Sequence, residues 1–106
     1  PLSQFQNTRF EMAEMATKIQ ISQSFLDDLI PRHISGESLV KEVSMAKYWI
    51  TDMQFEVADR CLQLFGGYGY MREYPISRHF VDARVQRIYG GANEIMKELI
   101  ARHLEL

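Results

Sequence analysis

Apolar side chains recur at helical spacing along most of this chain, and that periodicity limits the fold more than any other feature. In the stretch from Phe5 to Ile30 most of them recur at steps of three, four or seven residues, with no glycine or proline between them. This first stripe comprises Phe5, Met12, Met15, Ala16, Ile19, Leu26, Leu29 and Ile30. Because no alternating pattern of strand length occurs, the sequence predicts an all-α domain.

The first predicted helix ends near Pro31, because proline disfavours helical geometry in the residue before it, and residues 32–36 are predicted to form a loop. A second long helix is predicted from about Ser38 to Phe65, ended by the glycine pair that follows it. Its inner stripe comprises Leu39, Val43, Ala46, Ile50, Met53, Val57, Cys61 and Leu64, widened by Met45, Trp49 and Phe65. A stripe of this width indicates burial on more than one side.

Two shorter helices are predicted in the last third of the chain. Residues 66–76 are rich in glycine and tyrosine and are predicted to form an ordered connection packed by aromatic rings. Ser77 is predicted to cap a helix that ends near Ile88, and Asn93 to cap the last helix. Two long antiparallel helices and two short ones do not close a four-helix bundle. We therefore expect apolar surface to remain for a missing helix or another subunit.

Composition excludes several classes of function. The formal net charge of −2 provides no basic field for nucleic acid, and no apolar run is long enough to span a membrane. Cys61 is the single cysteine, and we interpret it as a small core residue. None of His33, His79 and His103 has a glutamate three residues before it, so the ligand pattern of di-iron bundles is missing. No metal site is predicted.

Two glycine segments and one charged segment are candidates for chemistry. The Gly66–Tyr70 segment follows a helix, so the dinucleotide-binding fingerprint does not apply, and a helix cap with a turn explains it by pattern alone. In Tyr89–Glu94, glycines precede a helix whose free N–H groups suit a carbonyl or anionic oxygen. A tight turn with an asparagine cap explains the same pattern. For Asp82 and Arg84, with the arginines at 78 and 87, solvated or structural ion pairs are the favoured interpretation.

These segments, taken together and in order, resemble the C-terminal signature of acyl-CoA dehydrogenases. The matching stretches are Gln63–Tyr70, Tyr74–Ile76, Asp82–Arg84 and Ile88–Lys97, and upstream Pro1–Gln6 and Ala13–Met15. The resemblance covers essentially all of residues 1–106 and is closest to the long-chain type. It implies the C-terminal helical-bundle domain of that fold, with the first bundle helix lying before Pro1.

The resemblance also implies an activity. Members of this family bind FAD and oxidise the bond between the α and β carbons of an acyl-CoA thioester to a trans-2-enoyl-CoA. Electron-transfer flavoprotein usually collects the electrons, and most members are homotetramers assembled through these helices. The expected compartment is the mitochondrial matrix in a eukaryote and the cytoplasm in a bacterium. We expect the isolated chain to hold no stable FAD and to dehydrogenate no acyl-CoA.

Roles for individual residues follow from the positions that match. The cofactor-binding positions implied by the resemblance are Gln6, Gln63, Leu64, Phe65, Gly66, Gly67, Ala92, Asn93 and Glu94, with Phe5 a weaker match beside Gln6. The stretch from Gln63 to Gly67 contacts FAD held mainly by the neighbouring subunit. Threonine or serine is common where Ala92 stands, so a hydroxyl contact is missing there. Tyr89 lies beside the acyl chain, the Gly90 N–H donates to the thioester carbonyl, and Arg102 reaches towards CoA.

Gly90 is the main departure from the family pattern. Many members carry the catalytic glutamate at this position, and glycine has no side chain that could accept a proton. Long-chain and isovaleryl types use a glutamate of the preceding helix instead, which would lie before Pro1. Glu94 is a poor substitute, since the first turn of a helix suits dipole or cofactor contacts better. A non-catalytic relative that retains the helical bundle as an interaction module remains the alternative.

Overall fold

The computed structural model describes residues 1–106 and contains helices but no strand. The α-helices are α1 (Gln6–Ile34), α2 (Val40–Phe65), α3 (Pro75–Val85) and α4 (Asn93–His103), with 3₁₀ turns at Leu2–Gln4 and Gly66–Tyr70. The predicted all-α class and the order of two long and two short helices are confirmed. No helix combines the length and apolarity that crossing a bilayer requires.

α2 is the centre of the domain, and the other three helices pack against it but not against one another. α1 runs antiparallel to it, with Arg60 of α2 bonded to Glu14 of α1 over 2.7 Å. That hydrogen bond raises the pKa of the Arg60 guanidinium. At the opposite end of the same pair, Leu29 packs with Leu39 and Ala46 in a small buried cluster.

α3 and α4 follow one another along a second side of α2, both antiparallel to it. The Phe80 ring of α3 lies 5.2 Å from that of Phe55 in α2. Further along, the Lys97 ammonium of α4 lies over the ring of Tyr48 in α2, 5.2 Å from its centroid. The two short helices thus lie one after the other along α2, and the turn between them lies beside the middle of α2.

Pro31 does not end the first helix, contrary to the sequence prediction. α1 continues for another turn, because a proline so close to the end removes only one backbone hydrogen bond. The helix ends at Ile34, and Gly36, the residue after the C-cap Ser35, has a φ of +90°. The N–H groups of Gly36 and Glu37 donate to the carbonyls of His33 and Arg32, which is the Schellman pattern of a helix C-terminus.

The start of α3 also differs from the prediction. Pro75 occupies the first turn, where its fixed φ is favourable and its missing N–H costs nothing, and Tyr74 is the N-cap residue. Ser77 therefore lies inside the helix, buried, with its hydroxyl donating to the Tyr74 carbonyl over 3.0 Å. The regular helix ends at Val85 and continues to Ile88 only as turns.

The inner stripe of α2 is only partly buried. Leu39, Ala46 and Met53, which are seven residues apart, are buried, whereas Val43 between them is 48% exposed and was wrongly predicted to face inward. No large side chain is fully buried. A groove of about 330 Å³ separates α1 from α4. The expectation of leftover apolar surface is confirmed by the exposed residues, among them Phe5, Phe10, Met12, Ile19, Ile21, Ile30, Trp49, Val81 and Ile95.

The connection from α2 to α3 is packed by aromatic rings, as predicted. The Tyr74 ring lies 6.3 Å from that of Phe65 and 5.6 Å from that of Tyr68. Gly69 is buried beneath this cluster, and a Cβ at that position would lie 2.7 Å from the carbonyl oxygen of Leu62. The φ of Gly69 is accessible to other residues. Glycine is therefore required here because the chain passes so close to the last turn of α2.

We expect Gly69→Ala to lower the free energy of unfolding by about 1–3 kcal/mol, because backbone has to move to admit the methyl group. Gly67→Ala is the matched control, since a Cβ there meets no atom within 4 Å. Urea unfolding of the cofactor-free protein that contains this domain, followed by circular dichroism, measures both. Equal losses for the two variants would contradict the packing explanation.

Candidate site at the turn between α3 and α4

The turn Tyr89–Ala92 joins α3 to α4 and contains two consecutive residues with positive φ. Gly90 has a φ of +66° and Gly91 a φ of +91°, a conformation that residues with a side chain rarely adopt. The N–H groups of Gly90, Gly91 and Ala92 donate no hydrogen bond within the chain. A Cβ on Gly90 would meet no atom within 4 Å, so the space in front of this turn is open.

These unpaired donors lie at the N-terminus of α4, where the helix dipole adds a partial positive charge. Together they can bind a carbonyl or anionic oxygen, which is one of the two interpretations left open by the sequence. Tyr89 at the start of the turn is 52% exposed. Glu94 is exposed in the first turn of α4.

Asn93 anchors the turn to α2 and does not cap α4, contrary to the prediction. Ala92 is the N-cap residue, and Asn93 is the first residue of the helix with only 5% exposure. Its amide nitrogen donates to Thr51 Oγ1 and to Asp52 Oδ1, each over 2.9 Å. Its amide oxygen accepts from Lys47 Nζ over 2.6 Å. The polar groups of α2 thus occupy the side chain that would otherwise have capped α4.

One further charged residue, Arg87, completes this arrangement, which we call the Lys47 cluster: Lys47, Thr51, Asp52, Arg87 and Asn93. Lys47 Nζ also donates to the Gly91 carbonyl over 2.7 Å. Arg87 Nε donates to Asp52 Oδ1 over 2.7 Å, and the Arg87 carbonyl accepts from the Asn93 N–H over 3.0 Å. The cluster therefore joins α2 to both ends of the turn.

Sequence reasoning missed the part of this cluster that lies on α2. The available signal was the spacing of Lys47 and Thr51, which are four residues apart and share a face of a mostly apolar helix. The ion pairs considered for the charged segment Arg78–Arg87 form only in part. Arg87 forms an ion pair, but Arg84 lies over the Phe55 ring at 5.9 Å, and Asp82 has no partner among the ion pairs of the chain.

The other glycine segment, Gly66–Tyr70, lies at the C-terminal end of α2. Gly66, with a φ of +66°, ends α2, and Gln63 is exposed on the last turn of that helix. Leu64 is half-buried and Phe65 is 49% exposed. The stretch of α2 from Thr51, beside the α3–α4 turn, to Gly66 is about 22 Å long at the usual helical rise. The two glycine segments therefore do not meet within one chain.

The remaining predicted residues lie towards the two ends of the domain. Gln6 is the exposed first residue of α1, preceded by Phe5. Because α1 is antiparallel to α2, Gln6 lies at the end of the domain where α2 reaches Gly66. Arg102 is exposed near the end of α4, at the opposite end, and pairs with Glu98 over 3.2 Å.

Comparison with known proteins places these features in one family. Residues 1–105 match the family described as acyl-CoA dehydrogenase, C-terminal domain. The mitochondrial long-chain specific acyl-CoA dehydrogenase of Rattus norvegicus is 48% identical over 103 residues, which cover 97% of this chain and 24% of the rat protein.

Solved structures give the same result. The crystal structure of an acyl-CoA dehydrogenase from Geobacillus kaustophilus has a TM-score of 0.96 and 52% identity, covering 98% of this chain and 27% of that one. A structure described as the FAD complex of PigA has a TM-score of 0.90 and 28% identity, covering 98% and 27%. This chain thus spans about a quarter of the length of its relatives. It belongs to the acyl-CoA dehydrogenase family, as that family's C-terminal helical domain.

Proposed function

We propose that this domain is part of a flavin-dependent acyl-CoA dehydrogenase that oxidises an acyl-CoA thioester to the trans-2-enoyl-CoA. The observation that carries the proposal is the α3–α4 turn, in which Gly90 has positive φ and an unpaired N–H, at the position that the family uses for the thioester. The rat relative is named for long-chain acyl-CoA, so long-chain thioesters are the substrate class to test first.

The Gly90 N–H is proposed to donate a hydrogen bond to the thioester carbonyl oxygen. Removal of the α proton moves negative charge onto that oxygen, so a fixed donor stabilises the transition state more than the substrate. The N-terminus of α4 adds to the same potential. Tyr89, exposed beside this donor, is proposed to contact the acyl chain, and Arg102 to reach the CoA portion.

The proposed FAD contacts fall into two regions of the domain. At one end, Gln63–Gly67 and Gln6 would contact a cofactor held mainly by a neighbouring subunit. A Cβ at Gly66 or Gly67 would meet no atom of this chain within 4 Å, so their backbone is open to a ligand. At the turn, the contacts would come mainly from Ala92 and Glu94. Asn93, whose side chain is bonded to α2 and whose N–H is bonded to the Arg87 carbonyl, would contribute only packing contacts. FAD, when bound, supplies the hydride acceptor.

The base that takes the α proton is proposed to come from a glutamate outside residues 1–106. Gly90 has no side chain, and Glu94 lies on the first turn of α4, where its charge suits the helix dipole. This domain would then supply the carbonyl donor, and another segment of the same enzyme the proton acceptor. The lack of a side chain at Gly90 equally favours a second candidate, a non-catalytic helical interaction module.

Assembly into a homotetramer, and electron transfer to electron-transfer flavoprotein, are proposed on the family resemblance. The large exposed side chains on α1 and α2, such as Phe10, Ile19 and Trp49, support an assembly that covers them. The compartment would be the mitochondrial matrix or the bacterial cytoplasm, according to the source.

Anaerobic titration of the full-length enzyme with saturated acyl-CoA of increasing chain length tests the activity. We expect the flavin absorbance to be bleached, and most readily by long-chain substrates, because hydride transfer reduces the flavin. Residues 1–106 alone should bind no stable FAD and should oxidise no substrate. A full-length protein that no acyl-CoA bleaches would favour the interaction module, and an active preparation of residues 1–106 would contradict the shared site.

Gln63→Ala tests the proposed cofactor contact at the end of α2. Loss of one hydrogen bond of about 1 kcal/mol should weaken FAD binding to the full-length enzyme roughly fivefold. Gln54→Ala removes an exposed glutamine from the same helix and serves as the control. Fluorescence titration of the apoenzyme with FAD measures both affinities. An unchanged affinity in Gln63→Ala would remove this residue from the site.

A further inference from the structure

We infer that Lys47 is a positioning residue for the proposed thioester-oxygen donor, the Gly90 N–H, acting through the carbonyl of Gly91. This inference rests on the function proposed above and extends it to a side chain of α2. Lys47 is half-buried on the side of α2 that faces the turn, and its ammonium donates to Gly91 O over 2.7 Å and to Asn93 Oδ1 over 2.6 Å.

Lys47 fixes the direction of one peptide group in the turn. All peptide bonds of the chain are trans, so the carbonyl and the N–H of each peptide group point in opposite directions. Because Lys47 holds the Gly91 carbonyl towards α2, the Ala92 N–H of the same peptide group points away from α2. The Gly91 carbonyl is thus a fixed point within the segment whose three N–H groups are unpaired.

The glycine pair makes the turn flexible unless neighbouring groups hold it. Gly90 and Gly91 have more accessible backbone conformations than any other pair of residues, so a donor formed by them is ordered only if the neighbouring groups are held. The Asn93 side chain is held by Thr51 and Asp52, and its N–H by the Arg87 carbonyl. On the other side of the glycine pair, the Tyr89 N–H donates to Val85 over 3.2 Å. Lys47 supplies the one side-chain hydrogen bond to the glycine pair itself.

Lys47 also places a positive charge beside the turn. Lys47 takes part in none of the ion pairs of the chain, and both of its acceptors are neutral oxygens. Asp52, the nearest carboxylate of the cluster, is paired with Arg87. An uncompensated positive charge therefore lies behind the turn. It favours negative charge in front of the turn, where the Gly90 N–H would meet the thioester oxygen.

Lys47 thereby acts on the oxygen in two ways that depend on different properties of the side chain. Its hydrogen bond orders the turn, and its charge lowers the energy of an enolate-like oxygen. Both effects grow as charge develops on the thioester, so Lys47 should influence turnover more than substrate binding. A residue needed only for folding would not shift the acidity of a bound ligand.

The test uses the full-length holoenzyme and the variant Lys47→Met, which keeps much of the side-chain length and removes the charge and the donor. We expect kcat with a saturated acyl-CoA to fall about tenfold, less than the hundredfold or more that accompanies deletion of a donor itself, with a smaller change in KM. The probe of charge is a 3-oxoacyl-CoA, which forms an enolate. The apparent pKa of the bound probe, followed by absorbance, should rise by about one unit.

Three further lysine variants make the result specific. Lys47→Arg keeps the charge and should retain most of the activity and the low apparent pKa of the probe. Lys97→Met removes a lysine that lies over the Tyr48 ring and does not touch the turn, so both measurements should match the wild type. If methionine prevents folding, Lys47→Gln, which is neutral but still able to donate, tests the contribution of the charge alone.

The outcomes separate this inference from the function on which it rests. Flavin content, oligomeric state and thermal unfolding establish that each variant is folded. If the wild-type enzyme oxidises no acyl-CoA, the proposed function fails. If the wild type is active and a folded neutral variant at position 47 matches it in both kcat and the apparent pKa of the probe, the role of Lys47 is overturned.

Discussion

The contact of every other helix with α2 is the constraint on which the rest of this domain depends. α1, α3 and α4 pack against this helix and not against each other, so α2 fixes the positions of all three. The 3₁₀ turn that begins at Gly66 extends its C-terminus, and the α3–α4 turn is tied to its middle. Both glycine segments are thus held at fixed points along one rigid helix. Their separation of about 22 Å follows from the helical rise alone.

This arrangement also explains why so little of the domain is buried. A helix that is covered on two sides and open elsewhere leaves part of its apolar stripe exposed to solvent, as Val43 and Trp49 show. Most of the apolar stripe of α1 beyond Met15 and Leu29 is likewise uncovered. The domain is therefore built to be completed by further surface, which agrees with a chain that spans about a quarter of its relatives.

Periodicity was sufficient to predict the helices, because their apolar stripes repeat over many turns and no strand pattern competes with them. It was insufficient at the helix ends, where single hydrogen bonds decide. Pro31 was given too much weight, since proline in the last turn costs one bond and the Schellman pattern at Gly36 sets the end. Ser77 and Asn93 were predicted as caps from residue type, but Pro75 starts α3 earlier and α2 occupies the Asn93 amide.

The candidate site shows the same division between local and long-range information. The glycines of the turn were visible in the sequence, because a pair of glycines before a helix has a local explanation. The groups that hold this pair were not visible, because Lys47 and Asn93 are 46 residues apart and meet only when α4 folds back along α2. A backbone donor has no side chain of its own to fix it in place. Its geometry and its electrostatic environment must therefore come from residues remote in sequence, and in this domain α2 supplies them.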